Sequence, residues 1–371
     1  MKKSILGTAM MAVAALTLAA CGQAPAEDPT SDAGDDATTT SDGGGETSDV
    51  KACLVSDAGG FDDQSFNQAG YEGLERAEAE LGIEINSIES ASDADFAPNI
   101  DSMIQEGCTY IIGAGFLLED AIQAAAEANE DVSFGLVDSS FSDAEFNPVE
   151  LPNAKPLLFN TAEAAFLGGY VAAAMSETGT IATYGGMAIP SVQIFMDGYA
   201  DGVAQYNEDT GSDVTLLGWD KDAQQGDFTG DFDNQSNGQN LTQTFLSQGA
   251  DIILPVAGPV GLGTGAALEA NGSGAMIWVD SDGYLTTDYG SLIITSVMKE
   301  IGAAVFDSIA EQVGGSFSNE PYVGTLENGG VGLAEFHDFE GQVPQDVVDR
   351  IAELQEQIIS GELVIESPNA P

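Results

Sequence analysis

The sequence predicts an α/β protein in which two parallel sheets, each covered by helices on both faces, form two lobes. From residue 51 onward, short apolar strands alternate with amphipathic helices, a pattern typical of doubly wound parallel sheets. The predicted strands are too many to fit comfortably in one sheet. They lie at 52–55, 83–88, 110–113, 132–137, 157–160, 180–184, 214–219, 252–256, 276–279 and 292–296. Helices are predicted from residue 66 and at 118–130, 162–177, 192–207, 240–249 and 345–359.

The turn at residues 56–67 joins the first strand to a long helix. It contains two adjacent glycines, which let the backbone bend sharply. Asp63 or Ser65 can cap the helix, in which Phe66 begins an apolar pattern of helical period. Because ligands of open α/β sheets bind at the carboxyl ends of strands, Asp63, Phe66 and Asn67 are candidate ligand-binding residues. The alternative is that they are structural, as a helix cap and a core phenylalanine.

The N-terminus has the features of an export signal. Two lysines precede an apolar run over residues 5–20, which is too short to span a membrane comfortably and predicts a signal peptide at 1–20. The run ends in Leu-Ala-Ala-Cys at 18–21 and resembles a bacterial lipobox, which implies lipid attachment to Cys21. An ordinary secretory signal beside an incidental cysteine is the alternative. Residues 21–49, rich in Asp, Gly, Thr and Ser, predict a flexible acidic tether before a domain at 50–371.

The charge balance is strongly acidic. The chain has eight Lys and Arg and 61 Asp and Glu, which gives a net charge of −53. Nucleic acid is excluded as a partner, because binding phosphates requires clustered cations. Such a charge favours solubility but costs self-repulsion in the compact state. We interpret it as adaptation to saline surroundings; the alternative is an exported protein that tolerates an acidic surface.

Two cysteines remain after Cys21. Cys53 and Cys108 each lie at the start of a predicted strand, and these strands are neighbours in a doubly wound sheet of order 2-1-3. Export allows oxidation to a disulfide, but neighbouring strands seldom provide the required geometry. A disulfide and a pair of buried free thiols both remain open.

Most predicted strands end in turns rich in Gly, Asp or Pro. Asp138 follows the strand at 132–137, Gly258 lies in the turn at 255–259, and Asp280 and Asp282 follow the strand at 276–279. If both sheets turn these ends toward one cleft, the layout is that of a two-lobed protein closing on a small ligand.

Lys299 is a rare cation in this acidic chain. It follows a predicted strand and is expected at the start of a helix, where the helix dipole disfavours positive charge. We therefore expect it to have a specific partner. The alternative is an exposed pair with Glu300 or another acid.

At these positions the chain resembles the basic membrane protein (BMP/PnrA-like) family, lipoproteins that are the purine-nucleoside-binding components of ABC transporters. The matching stretches occur in family order at 59–67 (Gly-Gly-Phe-Asp-Asp-Gln-Ser-Phe-Asn), 185–187, 248–251, 280–282, 295–299 and 329–333. The resemblance implies a type I periplasmic-binding-protein fold, two doubly wound parallel-sheet lobes joined by a three-strand hinge. The first lobe is expected at about 50–158 and 290–320, and the second at about 159–289 and 321–371. Residues 221–239, rich in Asp, Asn, Gln and Gly, depart from the family pattern.

The resemblance also implies which residues contact the base. Phe66 and Phe195 would stack on a purine from opposite faces. Asp63 and Asn67 would contact the ligand from the first lobe. Asp138 would accept hydrogen bonds from the base, and this acceptor favours guanosine and inosine over adenosine.

A second group would hold the ribose. The resemblance implies Gly258, Asp282 and Lys299 for this role, and ranks Asp280 below Asp282. Lys299 would lie among Asp63 and Asp282 and offset their mutual repulsion.

The function implied is a lipid-anchored, extracytoplasmic solute-binding protein at the cell membrane, tethered through Cys21. It would act as a monomer with an ABC permease and ATPase, with no cofactor, metal or catalytic residue. A sensor without transport, or a sugar or amino-acid binder of the same fold, are alternatives. An enzyme resembling nucleoside hydrolases is a further one, but Ser56 and Ala58 replace two acids of that calcium-binding pattern. The single histidine, His337, is expected to be structural.

The acidity leads to a salt prediction. Lowering NaCl from 1 M to 0.01 M should lower the melting temperature, because the Debye length grows to about 30 Å and like charges are no longer screened. Thermal unfolding across this range measures the effect. A melting temperature independent of salt would contradict the saline interpretation.

Overall fold

The computed structural model describes residues 49–143, 145 and 147–371. The predicted signal peptide, Cys21 and the tether as far as residue 48 lie outside the described residues. Within the part that is described, no helix combines the length and apolar character needed to cross a membrane.

Strands and helices alternate as the sequence predicts. The strands are β1 (Lys51–Ser56), β2 (Glu84–Ile88), β3 (Tyr110–Ala114), β4 (Ser133–Val137), β5 (Ala154–Phe159), β6 (Thr180–Gly185), β7 (Thr215–Leu217), β8 (Trp219–Asp220), β9 (Gln225–Gly226), β10 (Ile252–Val256), β11 (Ala275–Asp280), β12 (Ile293–Lys299), β13 (Tyr322–Gly324) and β14 (Val331–Leu333). The α-helices are α1 (Phe66–Leu81), α2 (Asp93–Gln105), α3 (Glu119–Ala128), α4 (Thr161–Met175), α5 (Pro190–Thr210), α6 (Gln235–Ser247), α7 (Leu262–Asn271), α8 (Gly283–Thr286), α9 (Ile301–Val313) and α10 (Gln345–Ile359).

Two six-stranded sheets organise the described residues. Their strand orders are β13-β5-β4-β3-β1-β2 and β14-β12-β11-β10-β6-β7. The pairing is parallel except between β12 and β14, so the carboxyl ends of the parallel strands lie along one edge of each sheet. The predicted adjacency of the first three strands, in the order 2-1-3, is confirmed.

Both faces of each sheet are buried. Ala52 and Leu54 of β1 belong to one core cluster, whereas the alternate residues Cys53 and Val55 belong to another on the opposite face. This follows from the two-residue period of a strand. It explains why the strands are continuous apolar runs without polar alternation.

The chain passes between the sheets at several points. It leaves β5 of the first sheet at Asn160 and returns after β12, at Glu300, to α9, which packs on α1. It then pairs β13 with β5 and crosses again at 325–330 to reach β14. The expected lobe boundaries are therefore wrong in two places: 293–299 belongs to the second sheet, and 322–324 to the first.

Some predicted element boundaries also differ. The strand predicted at 292–296 continues to Lys299, so Lys299 ends a strand and does not begin a helix. The strand predicted at 214–219 is divided at Gly218, whose φ of 84° breaks the extended backbone. β9, β13 and β14 have two or three residues each, too few for alternation to indicate a strand.

Cys53 and Cys108 form a disulfide, which decides between the two open alternatives. Their Cα atoms are 6.0 Å apart, within the usual range. The link joins β1 to the segment that enters β3. In the chain-entropy model, a loop closed over 55 residues stabilises the fold by roughly 4 kcal/mol.

Asp197 of α5 ties the segment after β7 to the C-terminal residues. It is fully buried, and its Oδ1 accepts hydrogen bonds from Trp219 Nε1 at 3.0 Å and Gln224 Nε2 at 2.8 Å. Its Oδ2 accepts from Ser367 Oγ at 2.6 Å and Asn369 Nδ2 at 3.0 Å. Gln224 lies in the segment at 221–239 that departs from the family pattern. Part of the polar character of this segment is thus used for hydrogen bonds within the protein.

Candidate ligand-binding site

A cavity lies where the carboxyl ends of both sheets meet. Together with its opening to solvent it has about 530 Å³ of empty space. It opens into a wider cleft that shares Phe116, Asp138 and Ser191 with it. The cavity is lined by Asp57, Ala58, Asp63, Phe66, Asn67, Gly115, Phe116, Asp138, Ile189, Ser191, Val192, Phe195, Phe232, Val256, Ala257, Gly258, Pro259, Val279, Asp280 and Lys299.

Asp63 caps α1 while it lines the cavity. Its Oδ1 accepts hydrogen bonds from the backbone N–H groups of Ser65 and Gln68, at 2.9 and 3.0 Å, and its Oδ2 accepts from that of Asn67 at 2.8 Å. These are donors that the first turn of a helix leaves unpaired. Burial raises the pKa of Asp63 to about 6, although the backbone donors oppose the shift.

Asn67 presents an unpaired oxygen in the same region. Its Nδ2 donates to Ala58 O at 2.9 Å and lies 3.4 Å from both Asp57 Oδ1 and Asp63 Oδ2. The residue is 1% exposed, and its Oδ1 has no partner among the described atoms. A buried acceptor without a partner is costly, so this oxygen suits a donor on a ligand.

Asp57 is a buried acid at the end of β1. Burial raises the pKa of its carboxyl well above the usual value; Asn67 opposes the shift, and Asp63 and Asp138 add to it. The carboxyl packs over Gly115, where a Cβ would come within 1.8 Å of Oδ2 and φ is 119°. Only glycine therefore leaves room for this carboxyl at the end of β3.

Lys299 lies between two carboxylates from different lobes. Its Nζ is 2.5 Å from Asp138 Oδ2 and 3.5 Å from Asp280 Oδ1. The lysine side chain is 2% exposed and both acids are 8% exposed. Burial works against a charge on Lys299, but the two carboxylates outweigh it and raise the pKa of the ammonium. Burial also raises the pKa of Asp138, against the effect of Lys299.

Aromatic rings surround the same ammonium. Lys299 Nζ lies 4.9 Å from the ring centre of Phe66, 5.2 Å from that of Phe195 and 5.7 Å from that of Phe159. Phe66 begins α1 of the first lobe, and Phe195 lies on α5 of the second. The two rings therefore face a common space between the lobes, and cation–π attraction adds to the two ion pairs.

The second lobe contributes an apolar wall. Ile189, Val192 and Val256 line it together with the ring of Phe232. Phe232 lies in the segment that departs from the family pattern. Its ring packs so closely on Gly186 that a Cβ there would come within 2.3 Å of it. This wall suits a flat, apolar face of a ligand, while the acids suit hydroxyl and N–H donors.

Residues 50–368 match the family described as Bmp, ABC transporter substrate-binding protein PnrA-like. The chain belongs to this family. It is 28% identical over 387 residues to the ABC transporter nucleoside-binding protein BmpA of Lactococcus lactis, covering 99% of this chain and 100% of that protein. An uncharacterized lipoprotein of Pyrococcus abyssi is 30% identical over 359 residues, with 87% and 85% covered. A solved solute-binding protein of an ABC transporter system from Aeropyrum pernix superposes with a TM-score of 0.76 at 25% identity, covering 86% of this chain and 94% of that one.

Membership in this Bmp family confirms the predicted family and the type I periplasmic-binding fold. The chain is an ABC transporter substrate-binding protein, and such proteins bind a small solute and deliver it to transporter components. The two relatives described above are named as a nucleoside-binding protein and as a lipoprotein.

The structure brings most predicted site residues of this Bmp-family protein together. One is placed elsewhere: Asp282 does not line the cavity in the described chain. Its Oδ1 accepts from the backbone N–H of Tyr284, and its Oδ2 is 2.7 Å from His337 Nε2. Asp280, which was ranked below it, ends β11 inside the cavity and pairs with Lys299. The predicted site residues that line the cavity are Asp63, Phe66, Asn67, Asp138, Phe195, Gly258 and Lys299.

Sequence reasoning missed Asp57 and Phe232 as lining residues. A signal for Asp57 was present, because it directly follows β1 as Asp138 directly follows β4. For Phe232 there was none, since its position depends on contacts between its segment and the turn after β6. The expectation that Lys299 lies among Asp63 and Asp282 is also wrong, because its carboxylate partners are Asp138 and Asp280.

The capping role of Asp63 can be tested by substitution. Asp63→Ala should lower the free energy of unfolding by about 1–2 kcal/mol, the usual cost of losing a helix cap, because three backbone donors lose their acceptor. Denaturant unfolding of the ligand-free protein measures this. Asp62→Ala, at the exposed neighbouring acid, is the control and should change little. Equal losses from both substitutions would contradict the cap.

Proposed function

We propose that this protein binds purine nucleosides in the cavity between its lobes and delivers them to an ABC importer, with guanosine and inosine preferred. It acts at the extracytoplasmic face of the cell membrane, anchored by lipid on Cys21. The observation that carries the proposal is the pairing of Phe66 and Phe195, from opposite lobes, around a space whose other walls hold buried acids. An aromatic pair accepts any flat base, whereas the acids require donors.

The groups proposed to form hydrogen bonds with the base lie on the first lobe. Asp138 is the salt-bridge partner of Lys299, and a carboxylate so paired accepts hydrogen bonds only. Guanine and hypoxanthine offer N1–H as a donor, whereas adenine offers a lone pair there. Asn67 Oδ1 provides another buried acceptor. The raised pKa of Asp57 favours a neutral carboxyl, which can donate to a carbonyl oxygen as well as accept.

The proposed ribose-binding groups lie on the second lobe. Asp280 and Lys299 end adjacent strands β11 and β12, so an acceptor and a donor meet at one edge. Gly258 lies two residues beyond the end of the neighbouring strand β10, with a φ of 52°. Vicinal hydroxyl groups of a sugar can both donate and accept and suit this mixed set.

Two comparisons support the proposal. The relative from Lactococcus lactis is named a nucleoside-binding protein and aligns along nearly the whole chain. The relative from Pyrococcus abyssi is named a lipoprotein, which agrees with the lipobox-like sequence before Cys21.

Removing one aromatic ring should weaken every purine nucleoside alike. Phe66→Ala should cost roughly 1–3 kcal/mol with guanosine, inosine and adenosine, the scale of one base–aromatic stack. Titration calorimetry measures the three affinities. Phe61→Ala is the matched control, because Phe61 lies in the same turn but stacks on Tyr71. If Phe66→Ala leaves the affinities unchanged, Phe66 is only a core residue. If the unaltered protein binds none of the three, the proposed function is wrong.

Changing the acceptor at Asp138 should alter selectivity. Asp138→Asn should reduce the difference in binding free energy between guanosine and adenosine by about 1.5–3 kcal/mol, the scale of a hydrogen bond to a charged group, because an amide can donate to the adenine lone pair. Asp120→Asn removes the same charge from the exposed wall of the wider cleft and controls for long-range electrostatics. A ratio unchanged by Asp138→Asn would show that the base is recognised elsewhere.

A further inference from the structure

Hydroxyl groups of the second lobe bind a backbone carbonyl of the first lobe outside the ligand cavity. Ser281 Oγ donates to Gln64 O at 3.1 Å, and Thr286 Oγ1 donates to the same oxygen at 3.1 Å. All three residues are half-buried. Neither serine nor threonine belongs to the described residues that line the cavity. These bonds therefore join the lobes without touching the ligand.

The accepting carbonyl is held in an uncommon conformation. Gln64 has a φ of 60°, a left-handed backbone that a residue with a Cβ seldom adopts. Its own N–H donates to Gln68 Oε1 at 3.2 Å, and the neighbouring Asp63 caps α1. Such a conformation persists where the surroundings hold it, and residues of this kind are frequent at functional sites. The helix start thus presents the Gln64 carbonyl to the second lobe.

The donors are held just as firmly on their own lobe. Asp282 caps α8 through Tyr284 N and contacts His337, whose ring stacks on Tyr284 with centres 4.1 Å apart. Thr286 is the last residue of this short helix. Its hydroxyl also lies 3.3 Å from Asp282 O, so it has an acceptor within its own lobe when the lobes separate. The threonine can exchange partners without being left unpaired.

We propose that the Gln64 carbonyl and the hydroxyls of Ser281 and Thr286 form an interlobe latch that slows release of the bound ligand. The identity of that ligand, but not the latch itself, rests on the proposed function. A ligand enters the open form, in which the latch is not made, and leaves only after the latch opens. The latch therefore lowers the dissociation rate and leaves the association rate unchanged. Because the hydroxyl groups and the carbonyl are uncharged, the latch adds no electrostatic repulsion between the lobes of this strongly acidic protein as they close.

The test removes both donors with little change of shape. The double variant Ser281→Ala/Thr286→Val should release guanosine roughly tenfold faster, since two neutral hydrogen bonds shift a two-state equilibrium by about that factor. Its association rate should stay within about twofold. Stopped-flow displacement measures both rates. Thr287→Val is the matched control, because Thr287 Oγ1 donates to Gly283 O at 2.7 Å within the second lobe; it should behave as the unaltered protein.

The other outcomes are distinguishable. An unchanged dissociation rate in the double variant, or an equal acceleration by Thr287→Val, would overturn the latch. If the unaltered protein does not bind guanosine, the proposed function fails, and the latch is then tested with a solute that a thermal-shift screen of nucleosides, sugars and amino acids shows to bind. Faster release of that solute from the double variant supports the latch, and an unchanged dissociation rate overturns it.

Discussion

The closed site depends on the ion pairs that the buried ammonium of Lys299 forms with Asp138 and Asp280. A charge that is almost fully removed from water must be matched by partners close by. Here the partners come from different lobes, Asp138 from the end of β4 and Asp280 from the end of β11. The complete arrangement exists only while the lobes are together. Without the lysine, two carboxylates would face each other across the cavity and oppose closure.

Backbone conformation aims these acids at the lysine. Asp138, just after β4, and Asp280, the last residue of β11, have φ values of 68° and 67°, so the chain turns abruptly at each acid. Gln64, in the same conformation at the start of α1, points its carbonyl toward the second lobe. These three uncommon conformations lie where the two lobes meet, at the ends of parallel strands and just before α1. Closure combines a charged contact inside the cavity with an uncharged one beside it.

The acidic composition explains why closure combines a charged contact with an uncharged one. With a net charge of −53, bringing two lobes together costs repulsion that salt screens. Closure therefore relies on the buried Lys299 and aromatic rings inside the cavity and on hydroxyl groups beside it, all of which make short-range contacts. The same rings and acids are what a nucleoside would require, so closure and recognition use overlapping sets of residues.

The sequence by itself determined the architecture and several of the residues that line the cavity. Apolar runs alternating with amphipathic helices dictate parallel sheets, and parallel sheets bring the residues at their carboxyl ends together. Asp63, Phe66, Asn67 and Asp138 could therefore be found from their places in turns that follow strands, whereas the rarity of cations indicated only that Lys299 has a specific partner. Only the tertiary structure decided between Asp280 and Asp282. Asp280 ends β11 inside the cavity, whereas Asp282, two residues later, caps α8 outside it. The tertiary structure also decided the disulfide, the place of Phe232 and the contacts of Gln64, since each depends on the approach of segments distant in sequence, which local periodicity does not encode.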